Sequence, residues 1–213
     1  DIDPTALQCP VPENRRSSLE YNCSGKHAGM LAVCQQCNWP LNNYLERKHP
    51  VQQLVLNKVS ELLRMPAAEF ISAHDDCGVP TYLMQLCQIA TLYARLSSGN
   101  NLDMERIVRA MTHHPQMLAG AGKFDTELMN LTPGELISKS GAEGLQCISR
   151  LGEGMGLVIK VMDGAKRAKY AVAIHLLTQL GWITPSTAEA LEEKFMTLAQ
   201  YKRLEVVGEL SIL

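Results

Sequence analysis

Leu136-Ile-Ser-Lys-Ser-Gly-Ala-Glu-Gly-Leu-Gln-Cys-Ile-Ser-Arg-Leu151 is the stretch that decides the fold class. It contains two β-prone runs, at residues 136–139 and 144–151, and a third run at 157–162 follows a glycine-rich turn. Short β-prone runs that are separated by glycine turns are typical of antiparallel hairpins. The stretch therefore predicts a meander of three strands.

Helical patterns lie on both sides of this meander, because apolar residues recur there at helical spacing. They predict helices over residues 27–39 with an N-terminus at Ser24-Gly25, 50–64, 81–96, a segment from an N-cap at Asp103 to before Pro115, 168–180 and 187–198. Residues 204–213 could add one edge strand. The expected fold class is mixed α/β (α+β), an antiparallel sheet flanked by helices.

We expect a single domain over residues 1–213. Its parts are a loop at 1–22, a mainly helical part at 23–133, and antiparallel strands with flanking helices at 134–213. The loop contains three prolines and no sustained apolar period. Since a domain rarely begins in this way, we expect an N-terminal portion upstream of Asp1.

Composition excludes several classes of function. The 213 residues carry a formal net charge of -2 and no block of like charges, so nothing predicts nucleic-acid or membrane-surface binding. No run approaches the ~20 apolar residues that span a bilayer. The seven cysteines are an odd number at irregular spacing, which favours reduced thiols and a cytoplasmic location over disulfides. We expect a small-molecule substrate.

Cys23-Ser-Gly-Lys-His27 gathers a thiol, a hydroxyl, an amine and an imidazole at the start of a predicted helix, where backbone N–H groups favour an anion. The alternative is that Ser24 only caps the helix while Lys26 and His27 are solvated. A second segment, His74-Asp-Asp-Cys77, adds another thiol. If the two segments meet, Cys23 and Cys77 could share a zinc ion with a further donor. Otherwise both are ordinary packed cysteines.

Three other segments carry chemically interesting residues. Cys34-x-x-Cys37 has redox or zinc-knuckle spacing, but it lies inside a predicted helix and lacks a second ligand pair, which favours a structural role. The loop from His113 to Thr126 could approach a ligand, or Asp125 could simply cap the next helix. Lys139-Ser-Gly places a lysine at a strand end beside glycine, as in serine acyl-transfer enzymes of the penicillin-recognising fold.

Four motifs taken in order resemble the L-asparaginase II family across nearly the whole chain. They are Cys23-Ser-Gly-Lys-His-Ala-Gly-Met30, Asp76-Cys-Gly-Val-Pro-Thr81, His114-Pro-x-Met-x-Ala-Gly-x-Gly122 with Phe124-Asp-Thr126, and Lys139-x-Gly-Ala-Glu-Gly144. The sequence departs from the family pattern at Asp76, where glycine is expected, and at Lys123, where arginine is usual.

The resemblance implies hydrolysis of L-asparagine to L-aspartate and ammonia by a homodimer, on a fold similar to serine β-lactamases and glutaminases. It implies zinc at Cys23, Lys26 and Cys77, with His27 and Asp75 orienting those ligands, and Lys139 as the proton shuttle or electrostatic partner of a serine. The family's serine lies in an upstream S-x-x-K helix, which could act in cis or on a separate chain. Ser24 is the reserve candidate for the nucleophile.

Two questions stay open at this point. An inactive fragment that serves as a metal-binding, ligand-binding or structural module is the alternative to an amidase, and a module built on Cys34 and Cys37 is a third possibility. Asparagine and glutamine differ by one methylene, worth only ~1 kcal/mol in a pocket, so the preferred amide is not predicted.

Overall fold

The computed structural model describes residues 21–199, 202–203 and 206. The chain divides into two compact units, Asp1–Gln85 and Leu86–Leu213. The single-domain expectation stays a prediction. The loop predicted at residues 1–22 lies outside the described part except at Tyr21 and Asn22, and so does the edge strand predicted at 204–213 except at Val206.

The described part of the first unit, residues 21–85, combines two helices, a short 3-10 helix and a hairpin. Its elements are α1 (Ser24–Gln36), α2 (Pro50–Leu63), the 3-10 helix (Ala67–Glu69), β1 (Ser72–His74) and β2 (Pro80–Tyr82), and β1 pairs antiparallel with β2. A small apolar core contains Met30, Cys34, Val51 and Val79.

Local sequence explains where these elements begin and end. α1 ends at Gln36, three residues before the predicted end, because Asn38 adopts a left-handed φ of 55° and the Trp39 N–H bonds back to the Cys34 carbonyl. α2 begins at Pro50, as predicted, and the His49 side chain accepts a hydrogen bond from the Val51 N–H. The prediction of a helix from residue 81 is wrong, because Thr81 and Tyr82 are β-prone and pair with β1.

The second unit holds the predicted three-stranded meander. Its elements are α3 (Leu86–Leu96), α4 (Leu102–His113), α5 (Pro115–Ala119), α6 (Phe124–Leu131), β3 (Leu136–Gly141), β4 (Leu145–Arg150), β5 (Met155–Lys160), α7 (Lys166–Gln179), α8 (Pro185–Phe195), β6 (Thr197–Ala199) and β7 (Lys202–Arg203). The strand order β3-β4-β5 is antiparallel throughout, with Lys139 opposite Cys147, and β6 pairs with β7.

Helix termini in this unit follow their capping residues. The N-cap of α4 is Asn101, whose side chain accepts from the Met104 N–H, so the prediction of Asp103 as the N-cap is wrong. α8 begins at Pro185, two residues before the predicted start, and Thr184 is its N-cap. α8 ends at Phe195 rather than at residue 198, because Thr197 already belongs to β6.

Both faces of the meander are covered by helices. On one face, Leu136, Ile148 and Ile159 belong to a buried core together with residues of α6, α7 and α8. On the other face, α3 approaches β5 so closely that a Cβ at Gly156 would lie 2.2 Å from the Ala90 carbonyl oxygen. Only glycine fits that contact, which fixes α3 against the sheet. The observed architecture confirms the mixed α/β class.

Candidate functional site

In the first unit, two segments that are far apart in sequence bring four metal-ligating side chains together. Cys23 precedes α1, and Asp75, Asp76 and Cys77 lie in the loop between β1 and β2. The sulfur and carboxylate ligand atoms of these four residues all lie within 4.8 Å of one another. Lys26 joins the group, since its Nζ donates to Asp75 Oδ2 at 3.2 Å.

A tight turn holds the acidic end of this cysteine-acidic cluster, which we define as Cys23, Asp75, Asp76 and Cys77. The Asp75 N–H donates to the Val79 carbonyl at 2.9 Å, and the Gly78 N–H donates to the Asp75 carbonyl at 2.9 Å. Gly78 has a φ of 82°, a conformation that side chains rarely adopt. The hairpin therefore sets the cluster's geometry.

Burial and hydrogen bonding shift the pKa values of Lys26 and Asp75 in opposite directions. Burial alone would lower the pKa of Lys26, but hydrogen bonds to Asp75 and Cys77 outweigh it, and the net pKa is raised. The hydrogen bond from Lys26 lowers the pKa of Asp75, against a smaller opposing effect of burial. Burial, helped by a hydrogen bond to Cys77, raises the pKa of the Cys23 thiol. The lysine is thus an ammonium and the aspartate a carboxylate at neutral pH.

The donor set of the cluster fits a zinc ion. Two thiolates and a carboxylate are common zinc ligands and leave one position of a tetrahedron for a further donor. Lys26 is close enough to be that donor, but it can bind only as the neutral amine, after giving up the proton that it shares with Asp75. The structure therefore brings Cys23, Cys77 and Lys26 together, while the coordination itself stays a prediction.

The remaining predicted residues of this unit have other partners. His27 Nδ1 lies 2.6 Å from the Tyr44 hydroxyl, and the two rings meet edge to face. Ser24 is the first residue of α1 and is half-buried, while the N-cap is Cys23, which makes no side-chain capping bond. The alternative that Ser24 caps α1 is therefore wrong. Tyr21, which sequence reasoning missed, hydrogen-bonds Asp76, and this contact raises the pKa of the phenol.

The two cysteines of the Cys34-x-x-Cys37 pair differ in their exposure to solvent. Cys34 is fully buried in the core of the first unit, whereas Cys37 is exposed at the C-terminal end of α1. Among the described residues, neither belongs to a group that could hold a metal ion. This agrees with a structural role.

In the second unit, Lys139 lies on β3 and is half-buried. Its Nζ donates to the carbonyl oxygen of Ser140 at 2.7 Å. The adjoining hairpin turn has φ of 55° at Glu143 and 75° at Gly144, where a Cβ would lie 2.9 Å from that of Val161. The glycine therefore lets the turn pack closely on the segment that follows β5.

A buried carboxylate of α6, that of Asp125, bonds to the two residues that flank Lys139 on β3. Asp125 is 2% exposed and accepts hydrogen bonds from Ser138 Oγ at 2.6 Å, Gln146 Nε2 at 2.7 Å and the Ser140 N–H at 2.9 Å. The alternative that Asp125 caps α6 is wrong, since the N-cap is Lys123.

Other titratable groups surround the same part of the sheet. Lys169 of α7 is 1% exposed, and burial lowers its pKa although Asp125 opposes the change. Burial raises the pKa of Cys147 on β4 to about 11, against a hydrogen bond with Tyr93 of α3 that lowers it. Burial raises the pKa of Tyr170, whose hydroxyl also interacts with Ser140.

A pocket of about 400 Å³ opens at the turn end of this sheet. It is lined by Glu143, Lys160, Met162, Asp163, Gly164 and Ala165. The Lys160 amine donates to the Glu143 carbonyl, and Asp163 pairs with Arg167. Its charged lining is therefore largely satisfied by its own neighbours.

Comparison with known families decides the assignment of the chain. A family model described as L-asparaginase II matches residues 1–212. The chain belongs to the L-asparaginase II family. No curated protein matches it.

The family's motifs occupy defined places in the two units. The first two motifs supply Cys23, Asp76 and Cys77 of the cysteine-acidic cluster, and the last two supply Asp125 and Lys139. Within the described residues, none of the helices is both long enough and apolar enough to cross a membrane. This L-asparaginase II family member thus presents one cluster of polar groups in each unit.

Proposed function

We propose that this protein hydrolyses the side-chain amide of L-asparagine to L-aspartate and ammonia. The family match over residues 1–212 carries the proposal, because it makes the chain an amidohydrolase-family protein over nearly its full length. We further propose a fold related to serine β-lactamases and glutaminases, a homodimer and a cytoplasmic location. These follow from the family resemblance and the cysteine usage.

Amide hydrolysis needs a nucleophile, a proton donor for the leaving nitrogen and donors for the developing oxyanion. Lys139 suits the second role, because its amine is half-buried and is already oriented by the Ser140 carbonyl. The nucleophile in the proposal is a serine that Lys139 assists. In the family that serine belongs to an S-x-x-K motif. Ser24 is only the reserve candidate for the nucleophile, on the ground that its position in the first turn of α1 offers backbone N–H groups to an anion.

Zinc is proposed at the cysteine-acidic cluster. Cys23, Cys77 and Lys26 would hold it, with Asp75 and His27 as the neighbours expected to orient the ligands. Bound zinc would supply Lewis acidity or hold the α1 and hairpin segments together. The side chains themselves provide two thiols, an amine and a carboxylate on one side of α1.

Steady-state ammonia release from L-asparagine and from L-glutamine tests the proposal. Both the product of the whole reading frame and residues 1–213 alone should be measured. Lys139→Met should lower kcat by about 10²- to 10⁴-fold, the usual contribution of a proton-transfer group. Lys160→Met is the matched control, since Lys160 lies on β5 of the same sheet and also donates to a backbone carbonyl. It should change kcat less than threefold.

Two results would contradict the proposal. If neither protein releases ammonia from asparagine but both bind zinc, the chain serves as a metal-binding module. If Lys139→Met and Lys160→Met retain the same kcat, Lys139 does not take part in the reaction.

A further inference from the structure

Asp125 is a buried carboxylate with three donors and a defined orientation. One of its oxygens, Oδ1, accepts from Ser138 Oγ and Gln146 Nε2, and the other, Oδ2, accepts from the Ser140 N–H. A carboxylate that is buried to this degree is expensive unless its lone pairs are satisfied. Asp125 therefore has no freedom to turn without leaving a buried donor unpaired.

These donors lie on both sides of Lys139 along β3. Ser138 precedes the lysine and Ser140 follows it, so one carboxylate holds the strand at both flanking residues. Both backbone polar groups of Ser140 are hydrogen-bonded. Its N–H donates to Asp125, and its carbonyl accepts from Lys139 Nζ at 2.7 Å. The Lys139 amine is thus linked to Asp125 through a single residue.

Gln146 completes the network from the neighbouring strand. Its Nε2 also donates to Ser138 Oγ at 2.8 Å, and its Oε1 accepts from Ser140 Oγ at 3.0 Å. Both polar atoms of the Gln146 side chain therefore form hydrogen bonds with Asp125 or with a serine that flanks Lys139. The network ties α6, β3 and β4 together around the lysine.

Titratable groups on α7, α3 and β4 lie near this network. Lys169 on α7 is the buried cation near Asp125, Cys147 on β4 lies opposite Lys139, and Tyr93 on α3 hydrogen-bonds Cys147. The Lys169 Nζ lies 3.3 Å from the Leu145 carbonyl and does not form an ion pair with Asp125 within 4 Å. Asp125 is thus hydrogen-bonded rather than ion-paired, which leaves its geometry to the three donors.

We propose that Asp125 is the positioning residue of Lys139. Its carboxylate holds the backbone of Ser140, and the Ser140 carbonyl in turn sets the direction in which the Lys139 amine points. This rests on the proposed function, since it assigns Asp125 a part in the same reaction. Asp125 does not touch the substrate, and its effect passes through Ser140.

Amide hydrogen exchange of Ser140 tests the structural half without any assay of activity. Asp125→Ala removes both acceptor oxygens, so the Ser140 N–H loses its partner whichever way the Gln146 amide turns. The Ser140 amide should exchange about tenfold faster or more, the equivalent of one lost hydrogen bond. Thr126→Val is the matched control, because Thr126 is the buried neighbour whose hydroxyl bonds to Pro115 and Gly120 instead. It should leave Ser140 exchange unchanged after correction for global stability.

Kinetics test the functional half. Asp125→Ala should lower kcat at least tenfold with KM within threefold, whereas Thr126→Val should keep both. The double variant Asp125→Asn with Gln146→Glu reverses every donor and acceptor between the two side chains while keeping the net charge. It should recover most of the lost kcat.

Each outcome judges one statement. Unchanged Ser140 exchange in Asp125→Ala overturns the hold of Asp125 on the Ser140 backbone, and faster exchange with unchanged kcat overturns the positioning role. Loss of kcat without recovery in the double variant also overturns it. A wild-type protein that does not turn over asparagine refutes the proposed function. In that case the exchange of the Ser140 amide still tests whether Asp125 holds the Ser140 backbone.

Discussion

Replacement of Lys26 by methionine should reduce by about one the number of protons that are released when zinc binds. Lys26 has a raised pKa and pairs with Asp75 at 3.2 Å, so it is protonated at neutral pH. As a zinc ligand it must give up that proton, in addition to the protons lost by the thiols of Cys23 and Cys77.

The cost of this step follows from the charges. Deprotonating a lysine with the ordinary pKa of 10.5 at pH 7 costs about 4.8 kcal/mol, at 1.36 kcal/mol per pH unit. The Asp75 partner adds less than ~1 kcal/mol, because both side chains are more than one-third exposed and solvent screens the pair. Each proton that is released makes zinc affinity rise tenfold per pH unit. Lys26→Met should therefore flatten the pH dependence by about one tenfold step.

Calorimetric zinc titrations in two buffers of different ionisation enthalpy count the protons, and repeats at pH 6.5, 7.0 and 7.5 give the slope. The Asp75 carboxylate stays ionised over this range even without its lysine, since its ordinary pKa is 3.8, so it adds no proton. Lys58→Met is the control, because Lys58 is also ion-paired, to Glu61 at 2.9 Å, but lies on α2 away from the cluster. Equal proton counts for the wild type and Lys26→Met would remove Lys26 from the ligand set.

Three further changes have defined outcomes. Asp75→Asn should cost at most ~1 kcal/mol of unfolding free energy at pH 7. Because the folded pKa of Asp75 lies below 3.8, this difference should disappear as the pH falls through it, which urea denaturation at pH 7 and pH 3 checks. Gly156→Ala should cost about 3 kcal/mol in thermal or urea unfolding, since its Cβ would overlap the Ala90 carbonyl, and a wild-type melting temperature would contradict the packing of α3 on β5. Cys147 has a pKa raised to about 11 and is 3% exposed, so it should resist iodoacetamide at pH 8, whereas the exposed Cys37 should be labelled. Peptide mass spectrometry measures the labelling of each cysteine. Equal labelling of the two would contradict the burial of Cys147.

The sheet was predictable because its signals are local. β-prone runs and glycine turns lie next to each other in sequence, and β3, β4 and β5 begin and end within two residues of the predicted runs. The hairpin of β1 and β2 was missed because each strand has only three residues, too few to show a period of two. Its pairing is a tertiary effect that replaced the predicted first turn of α3.

The candidate site divides in the same way. The resemblance to the L-asparaginase II family implied that Cys23 and Cys77 share a site, and the structure places their ligand atoms within 4.8 Å. The role of Asp125 could not be predicted, since an aspartate near a helix start normally suggests a cap. Its partners Ser138 and Gln146 lie 13 and 21 residues further along the chain, where no local pattern marks the contact.

Amide-labelled [¹⁵N]asparagine provides the most direct test of the amidase assignment. Incubated with the product of the whole reading frame, it should yield [¹⁵N]ammonium and aspartate in equal amounts, followed by NMR. Lys139→Met should form both products about 10²- to 10⁴-fold more slowly, while Lys160→Met should form them at nearly the wild-type rate. Intact labelled asparagine after prolonged incubation with the folded wild-type protein would contradict the account.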